Sequence, residues 1–313
     1  MPRKRIALVG GGQIGGILAL LLTQKELGDL LIIDTPEQAE RMQGKALDIM
    51  GYRPNGGHDV ELRGSGDFAD LEGADVVVIT AGMARRPGMS REDLLDVNLA
   101  IVRHVGEQVR RHAPDAFCIV TTNPLDAIVY AFHQASGLPH HRVVGMAGAL
   151  DSARFRTYLA METGYSVEDV ACLVMGGHGP TMIPLIRTAT IGGVPITDLL
   201  SPERIEAVAE RTRNAGTEIV SLLGNGSAFV SSAAAIAEMV EAHVRDKRRV
   251  IASAAYCQGE YGVDGYFMGV PCVIGAAGVE QVIEFPLTPD EQQLFDNSFG
   301  AVQASVRKVR ENP

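Results

Sequence analysis

The first half of the chain alternates short apolar runs with longer amphipathic stretches. The short runs have the length of buried strands, and the stretches between them place apolar residues at helical spacing. The predicted strands are residues 5–9, 30–34, 75–80, 117–121 and 142–145. The predicted helices are residues 13–25, 37–50, 92–112 and 125–136. Apolar strands separated by helices are typical of an α/β fold with a doubly wound parallel sheet that is covered on both faces.

The second half is less regular. Strand-like runs occur at residues 169–175, 181–190, 250–255 and 270–275, between helical patterns at residues 202–222, 229–243 and 289–311. The last helix opens with Thr288, Pro289 and Glu291, which form a capping box with proline at the first helical position. Because no linker or internal repeat separates the halves, we expect two domains in broad contact, residues 1–147 and residues 148–313, the second of mixed α/β structure.

Composition excludes several classes of protein. No apolar run approaches the roughly 18 residues that a membrane helix needs, and the apolar run behind the basic start covers only residues 6–9. We therefore expect neither a signal peptide nor a membrane partner. The net charge of −10 would repel a phosphate polymer, so nucleic-acid binding is not expected either.

The cysteines favour a reducing compartment. They form no CxxC pair, and two of them lie in strand-like runs; they are Cys118, Cys172, Cys257 and Cys272. This pattern is typical of small buried thiols in a cytoplasmic protein rather than of a disulfide framework. Histidines and cysteines form no cluster with the spacing of metal ligands, so no metal site is predicted.

A glycine-rich turn follows the first predicted strand. Residues 10–15 read Gly-Gly-Gly-Gln-Ile-Gly and contain the pattern G-x-G-x-x-G at Gly10, Gly12 and Gly15. A helix follows, and Asp34 ends the next strand 19 residues beyond Gly15. Such glycines let a pyrophosphate approach a helix N-terminus, and an acid at that position binds a ribose and repels a 2′-phosphate. The alternative is a turn with no ligand, but the surrounding pattern predicts a Rossmann-type domain that binds NAD.

A second group of residues could carry proton chemistry. Asp151 and Arg154 have the i, i+3 spacing that places two side chains on one helix face. Among the eight histidines, His178 alone ends a strand-like run among glycines. A carboxylate that orients an imidazole makes it a better proton acceptor, so Asp151 and His178 are candidates for such a pair. From spacing alone, a surface ion pair and an unrelated histidine remain open alternatives.

A basic loop follows the predicted strand at residues 75–80. Residues 81–91 carry Arg85, Arg86 and Arg91 among glycines and a proline. The loop lies at the carboxyl edge of the predicted sheet, where doubly wound folds bind ligands. A solvated surface loop is the alternative, but in an acidic chain these arginines favour an anionic ligand.

Together these motifs resemble the lactate/malate dehydrogenase family, most closely its lactate-dehydrogenase-like bacterial malate dehydrogenases. The resemblance covers nearly the whole chain. The motifs are the loop at residues 10–15, Arg-Arg-Pro-Gly-Met-Ser-Arg at 85–91, Thr-Thr-Asn-Pro at 121–124, Asp-x-x-Arg at 151–154, Gly-Gly-His-Gly at 176–179 and residues 269–275. The resemblance implies a Rossmann domain followed by a mixed α/β catalytic domain. It also implies reversible, NAD-dependent oxidation of L-malate to oxaloacetate by a homotetramer or homodimer.

The same resemblance implies roles for individual residues. His178 accepts the proton of the malate hydroxyl, and Asp151 orients His178. Arg154 binds the carboxylate next to the reacting carbon, and Arg91 polarises the carbonyl oxygen. Arg85 matches the arginine that binds the distal carboxylate of a dicarboxylic acid, where lactate-specific members have glutamine. Asn123 contacts substrate and cofactor, and the full set of implied cofactor contacts is Gly10, Gly11, Gly12, Gln13, Ile14, Gly15, Asp34, Asn98, Thr121, Thr122 and Asn123.

The resemblance further implies a cis peptide bond at Asn123–Pro124. Pro180 departs from the pattern, because many relatives have an acidic residue after His-Gly. Lactate dehydrogenase or another 2-hydroxy acid dehydrogenase is the nearest alternative activity, and Arg85 is the residue that distinguishes malate from lactate dehydrogenase. Two alternatives of other classes are an NAD-dependent glycosidase and a non-catalytic NAD-binding module. The absence of Trp and an aromatic content of 5% disfavour the glycosidase, and the combination of His178, Asp151, Arg154 and Arg91 disfavours the module.

Overall fold

The computed structural model describes residues 3–83, 91–224 and 226–311. The strands of its first half are β1 (Arg5–Val9), β2 (Asp29–Ile33), β3 (Leu62–Ser65), β4 (Val76–Ile79), β5 (Phe117–Val120) and β6 (Val143–Gly145). The helices there are α1 (Gln13–Gln24), α2 (Ala39–Gly51), the short α3 (Arg53–Gly56), α4 (Arg91–His112) and α5 (Leu125–Ser136).

The second half contributes shorter strands and longer helices. Its strands are β7 (Val170–Ala171), β8 (Val174–Met175), β9 (Ile183–Pro184), β10 (Thr190–Ile191), β11 (Val194–Pro195), β12 (Arg249–Gln258), β13 (Asp264–Gly275) and β14 (Gly278–Val282). Its helices are α6 (Gly148–Thr163), α7 (Pro202–Leu223), α8 (Val230–Val244) and α9 (Pro289–Glu311). Among the described helices, none combines the length and the hydropathy of a membrane-spanning segment.

The main sheet has nine strands in the order β14-β13-β12-β6-β5-β4-β1-β2-β3. The strands from β3 to β6 are parallel, which confirms the predicted Rossmann-type arrangement. Every residue of β4 and β5 is buried, as expected for strands that are covered on both faces. Helices α1 and α2 pack on the β1–β3 side, and α5 packs on β5 and β6.

The sheet continues from the first half into the second. Strand β12 pairs antiparallel with β6 through Ala254 and Gly145, and β13 and β14 extend the sheet in the same antiparallel manner. One hydrophobic core therefore runs through both halves. A smaller second core contains Phe155 and Leu159 of α6, Ile191 of β10 and Val208 of α7.

Two predicted strands of the second half were wrong. Residues 169–175 form β7 and β8 rather than one strand, because the two pieces pair with different partners, β7 with β10 and β8 with β9. Residues 181–190 form β9, a 3₁₀ turn at Ile186–Thr188 and β10. Pro184, which has no amide hydrogen, limits β9 to two residues. Strands β3 and β14 were not predicted at all.

The capping box at the start of α9 is confirmed. The amide of Glu291 donates to the Thr288 hydroxyl at 3.2 Å, and the amide of Thr288 donates to the Glu291 carboxylate at 2.8 Å. Glu291 also binds Arg187, which attaches the start of α9 to the 3₁₀ turn after β9. This anchoring fixes the helix that lies beside the candidate site described below.

Candidate active site

The glycine-rich turn packs tightly against the carboxyl end of β4. Gly10 has a φ of +110°, and a Cβ there would lie 2.5 Å from the backbone nitrogen of Ala81. A Cβ on Gly15 would lie 2.1 Å from the carbonyl oxygen of Gly10. Only glycine fits at these two positions, so the turn keeps its backbone close to the sheet edge. Gly12, by contrast, is exposed and has open space around the position of a Cβ.

The start of α1 is suited to an anion. Gly12 is the N-cap residue and offers no side chain to the first amides of the helix, and the first turn has no acidic residue. These amides, which begin with Gln13 and Ile14, face no competing carboxylate from their own helix, and the helix dipole adds positive potential there. A tight glycine turn with open space over Gly12 therefore fits the pyrophosphate of a dinucleotide.

Asp34 and Lys45 hold the turn from the side of β2 and α2. The Asp34 carboxylate accepts hydrogen bonds from the amide of Gly11 at 2.8 Å and from the amide of Thr35 at 2.9 Å. The Lys45 ammonium donates to the carbonyl oxygens of Gly11 and Gly12, the second at 3.2 Å. Burial and the charge of Arg41 bring the pKa of Lys45 below its usual value, although the charge of Asp34 acts in the opposite direction. Asp34 thus lies beside the turn, where the sequence predicted it.

A hydrogen-bond network joins the loops that follow β4 and β5. The fully buried side chain of Asn98 accepts from the amide of Met83 at 2.7 Å and donates to the carbonyl oxygen of Asn123 at 2.6 Å. Thr121 donates to the carbonyl of Ile79 at 2.9 Å, and Thr122 donates to that of Ala81 at 2.5 Å. The Asn123–Pro124 peptide bond is cis, which confirms the expectation. Asn98, Thr121 and Thr122 are thus placed at the sheet edge, with their side chains bound to neighbouring backbone.

His178 meets the buried side chains of Asp151 and Arg154 in one cluster. His178 Nδ1 lies 2.7 Å from Asp151 Oδ2, and Arg154 Nη1 lies 3.5 Å from Asp151 Oδ1. Asp151 and Arg154 are 2% and 9% exposed, so they do not form a surface pair. Because a carboxylate only accepts, Nδ1 carries the hydrogen in this bond, which leaves Nε2 for exchange with a substrate. The Nε of Arg154 is buried and has no hydrogen-bond partner within the described ranges.

The electrostatics of the cluster favour a protonated histidine. Burial by itself lowers the pKa of His178, but the charge and hydrogen bond of Asp151 outweigh it, and Asp126 adds to their effect. Arg154 opposes them, and the pKa of His178 stays above its usual value. Such a group can both accept and return a proton near neutral pH.

The loop that carries His178 is held from two sides. The amide of His178 donates to Asp126 Oδ2 at 2.9 Å, and the amide of Gly177 donates to the Ser298 hydroxyl at 2.9 Å. Asp126 lies in the first turn of α5 and Ser298 lies in α9. A cleft of about 500 Å³ opens here, lined by His178, Asp126, Pro124, Thr181 and residues of α9.

Two predicted substrate contacts cannot be placed against this cleft. Arg85 lies outside the described residues, as does its neighbour Arg86. Arg91 is the first residue of α4, but its side chain lies outside what the structure describes. Within the described part of the chain, His, Cys, Asp and Glu side chains form no group of three or more that could hold a metal ion.

Comparison with known proteins assigns the two halves. Residues 4–145 match the lactate/malate dehydrogenase NAD binding domain, and residues 148–312 match the lactate/malate dehydrogenase alpha/beta C-terminal domain. The chain belongs to the lactate/malate dehydrogenase family. Malate dehydrogenase of Xanthobacter autotrophicus is 52% identical over 311 residues, which cover 98% of this chain and 96% of the relative.

Solved structures of the lactate/malate dehydrogenase family match the whole fold. Malate dehydrogenase of Cryptosporidium parvum has a TM-score of 0.96 at 43% identity, with 99% of each chain covered. Lactate dehydrogenase of the same organism, complexed with lactic acid and NAD, has a TM-score of 0.96 at 41% identity, with 100% of each chain covered. The family assignment removes the glycosidase alternative. The fold alone does not separate malate from lactate, because both kinds of enzyme match it equally well.

Three residues that hold the glycine-rich turn or the His178 loop were not singled out from the sequence. Lys45 lies on α2, Asp126 lies on α5, and Ser298 lies on α9, each inside an ordinary amphipathic helix. Asp126 directly follows the Asn-Pro-Leu segment, which is the one local signal that could have drawn attention to it. Lys45 and Ser298 give no such signal, since their partners are distant in the sequence.

Proposed function

We propose that this chain is an NAD-dependent malate dehydrogenase that interconverts L-malate and oxaloacetate. The observation that carries the proposal is the pair of His178 and the buried Asp151, 2.7 Å apart, beside Arg154, whose Nε has no partner among the described residues. This pair lies in a family member that is 52% identical to a malate dehydrogenase over nearly its whole length. Proton exchange and carboxylate binding are the two tasks that oxidation of a 2-hydroxy acid requires of the protein.

His178 is proposed as the proton acceptor. NAD, when bound, would supply the acceptor for the C2 hydride of malate. The hydroxyl proton of malate would pass to His178 Nε2. Asp151 keeps Nδ1 protonated and stabilises the imidazolium that forms. In the reverse direction, His178 must begin protonated in order to return the proton to the carbonyl oxygen of oxaloacetate.

The arginines are proposed to bind the substrate. Arg154, whose buried Nε has no protein partner among the described residues, would bind the carboxylate next to the reacting carbon through two parallel hydrogen bonds. Arg91 would polarise the carbonyl oxygen, and Asn123 would contact substrate and cofactor. The proposed cofactor contacts are Gly10, Gly11, Gly12, Gln13, Ile14, Gly15, Asp34, Asn98, Thr121, Thr122 and Asn123.

Arg85 is proposed to select malate over lactate. Oxaloacetate and pyruvate share one carboxylate and the carbonyl, but oxaloacetate carries a second carboxylate where pyruvate has a methyl group. A charge that leaves water without a partner is costly, and a guanidinium provides a permanently charged, two-pronged partner. With pyruvate, the same guanidinium would itself be unpaired, so one residue both favours the correct substrate and disfavours the wrong one.

The test is NADH oxidation with oxaloacetate and with pyruvate, compared as kcat/KM. Two charge-assisted hydrogen bonds of about 1.5–3 kcal/mol each, together with the cost of leaving the guanidinium unpaired when pyruvate is bound, give an expected preference for oxaloacetate of about 10³-fold or more. Arg85→Gln should lower that ratio by reducing activity with oxaloacetate and raising activity with pyruvate. The matched control is Arg86→Gln, which removes the adjacent charge and should change the ratio much less.

Each failure of this assay has a distinct meaning. A wild-type preference for pyruvate would favour lactate dehydrogenase as the function. A ratio that responds to Arg86→Gln and not to Arg85→Gln would move the specificity role by one residue. NADH binding without turnover of either acid would favour a non-catalytic NAD-binding protein as the function.

We also propose that the enzyme works in the cytoplasm as a homodimer or homotetramer, at the malate step of the tricarboxylic acid cycle. The buried thiols of Cys118, Cys257 and Cys272 are free, which suits a reducing compartment. Large apolar side chains are exposed on α6 at Met161 and on α7 at Leu222, which are 62% and 82% exposed. Such side chains are suited to contacts between subunits.

A further inference from the structure

We propose that Asp126 is a positioning residue for His178, and that its negative charge acts together with Asp151 to keep the catalytic proton on His178. The proposal rests on the role of His178 given above. It adds a second carboxylate, from a different helix, to the machinery of proton transfer.

The contact between the two residues is direct. Asp126 Oδ2 accepts the backbone amide of His178 at 2.9 Å. The preceding Gly177 allows this close approach, since a Cβ there would lie 3.2 Å from the same oxygen. The other oxygen, Oδ1, is buried and has no hydrogen-bond partner among the described residues. The charge of Asp126 is therefore weakly solvated and lies against the residue that it influences.

The charges around His178 explain why a second carboxylate matters. Arg154 and Asp151 face His178 from α6, Asp126 faces it from α5, and Lys308 of α9 lines the same cleft. When His178 is protonated, its charge and that of Arg154 are balanced by the two carboxylates. Without the charge of Asp126, the three remaining charges, those of protonated His178, Arg154 and Asp151, sum to one net positive charge, which opposes protonation of His178.

The titration of the two groups is mutually linked. Burial raises the pKa of Asp126 to about 6, and the charge of Asp151 acts in the same direction. The charge and amide of His178 oppose this increase. Above that pH Asp126 is ionised, and its charge then raises the pKa of His178. The apparent titration midpoints consequently belong to the pair.

A purely structural role is the alternative to exclude. Under that alternative, Asp126 does no more than accept a hydrogen bond from the His178 amide and place a favourable charge in the first turn of α5. Asparagine keeps the acceptor oxygen and removes the charge. Asp126→Asn therefore separates the two roles.

The experiment is the pH profile of kcat/KM for oxaloacetate reduction by NADH, from about pH 6 to about pH 9.5. This reaction needs protonated His178, so its rate falls as the pH rises through the pKa of that group. In Asp126→Asn the midpoint of this alkaline limb should move toward acid by about one pH unit, the lower end of the effect of a nearby opposite charge. The acid limb of malate oxidation should move in the same direction, since the same group must be neutral there.

Ser298→Ala is the matched control. It removes the other anchor of the His178 loop, the hydroxyl that accepts from Gly177, without changing any charge. It should lower kcat/KM at every pH and leave the midpoint in place. Asp126→Ser is a second neutral variant with an acceptor oxygen, to be measured if Asp126→Asn does not fold.

The outcomes distinguish the two proposals. If the folded neutral variant of Asp126 loses rate with an unmoved midpoint, Asp126 is a structural anchor only and the inference is wrong. If the wild-type chain does not reduce oxaloacetate with NADH, the proposed function itself fails. A midpoint that moves in the neutral variant and not in Ser298→Ala supports the inference.

Discussion

Lys45 and Asp34 both fix the backbone of Gly11. The Asp34 carboxylate accepts a hydrogen bond from the Gly11 amide, and the Lys45 ammonium donates to the carbonyl oxygens of Gly11 and Gly12. The lysine makes these bonds while its ammonium is partly withdrawn from water, which lowers its pKa. A cation next to the start of α1 also adds to the positive potential of the helix terminus. Lys45 is thus suited to hold the shape of the turn and to favour a pyrophosphate there.

Replacing Lys45 should weaken NADH binding. Lys45→Met keeps most of the length of the side chain and removes both hydrogen bonds and the charge. Since a charged hydrogen bond contributes about 1.5–3 kcal/mol, the NADH dissociation constant should rise by about tenfold or more. Fluorescence titration of NADH measures this change. The control is Lys25→Met, because Lys25 lies at the far end of α1 and binds Glu241 instead of the turn. This variant should leave NADH affinity unchanged. Equal affinities in Lys45→Met and wild type would contradict the assignment.

At the scale of whole elements, the parallel strands other than β3 could be predicted because burial on both faces gives each of them a continuous apolar run. Strands β1, β4 and β5 fall within two residues of their predicted limits. Strand β3 could not be predicted, since Leu62 is its one large apolar residue. It is held by pairing with β2 and by Gly64, where a Cβ would lie 2.1 Å from the backbone of Met42. Such a contact leaves no local pattern in the sequence.

The same limit applies to the site. The sequence pattern nominated His178 and Asp151 as a pair, and the structure brings them together. The bond from His178 to Asp126 spans 52 positions, and the bond from Lys45 to Gly11 spans 34. Both depend on how the helices pack on the sheet, which neither periodicity nor spacing encodes. The antiparallel extension of the sheet by β12, β13 and β14 was likewise not contained in the pattern.

Strand β13 supports the His178 loop through a close backbone contact. The carbonyl oxygen of Gly269 accepts the amide of Gly176 at 2.8 Å, and a Cβ on Gly269 would lie 2.0 Å from the carbonyl oxygen of Gly176. Gly269→Ala must therefore displace the backbone two residues before His178. We expect a loss of about 1–3 kcal/mol in unfolding free energy, as for other overpacked sites, together with a lower kcat for oxaloacetate reduction.

Gly300→Ala is the control for this substitution. Gly300 is exposed on α9, and a Cβ there would meet open space. Alanine inside a helix is favoured over glycine by about 1 kcal/mol, so this variant should be as stable as wild type or more stable, with unchanged kcat. Urea unfolding and steady-state kinetics compare the two variants. A Gly269→Ala protein with wild-type stability and kcat would show that the contact does not position His178.

At the scale of the whole molecule, the two halves share a sheet and are also joined through Glu241 of α8. This carboxylate is 8% exposed and accepts hydrogen bonds from Lys25 at 2.7 Å, Lys247 at 2.6 Å and Arg245 at 2.9 Å. Arg245 donates in addition to the carbonyl oxygen of Lys25 at 2.8 Å. Because Lys25 directly follows α1, Glu241 links the NAD-binding half to the catalytic half.

Glu241 should stabilise the chain in a pH-dependent way. Hydrogen bonds from Lys247 and Lys25 lower the pKa of Glu241 from 4.5 to about 2. A group whose pKa is depressed by folding contributes stability that is complete above its unfolded pKa and is lost as the pH falls toward the folded one. Glu241→Gln should therefore cost about 2 kcal/mol of unfolding free energy at pH 7, and the difference from wild type should shrink below about pH 5.

Glu238→Gln, one turn earlier on α8, breaks the exposed pair with Arg249 and should cost at most about 0.5 kcal/mol at either pH. Urea unfolding at pH 7 and at about pH 4, at one protein concentration, measures both differences. A Glu241→Gln difference that is as large at the lower pH as at pH 7, or no larger than that of Glu238→Gln, would show that the ionised Glu241 does not hold the halves together.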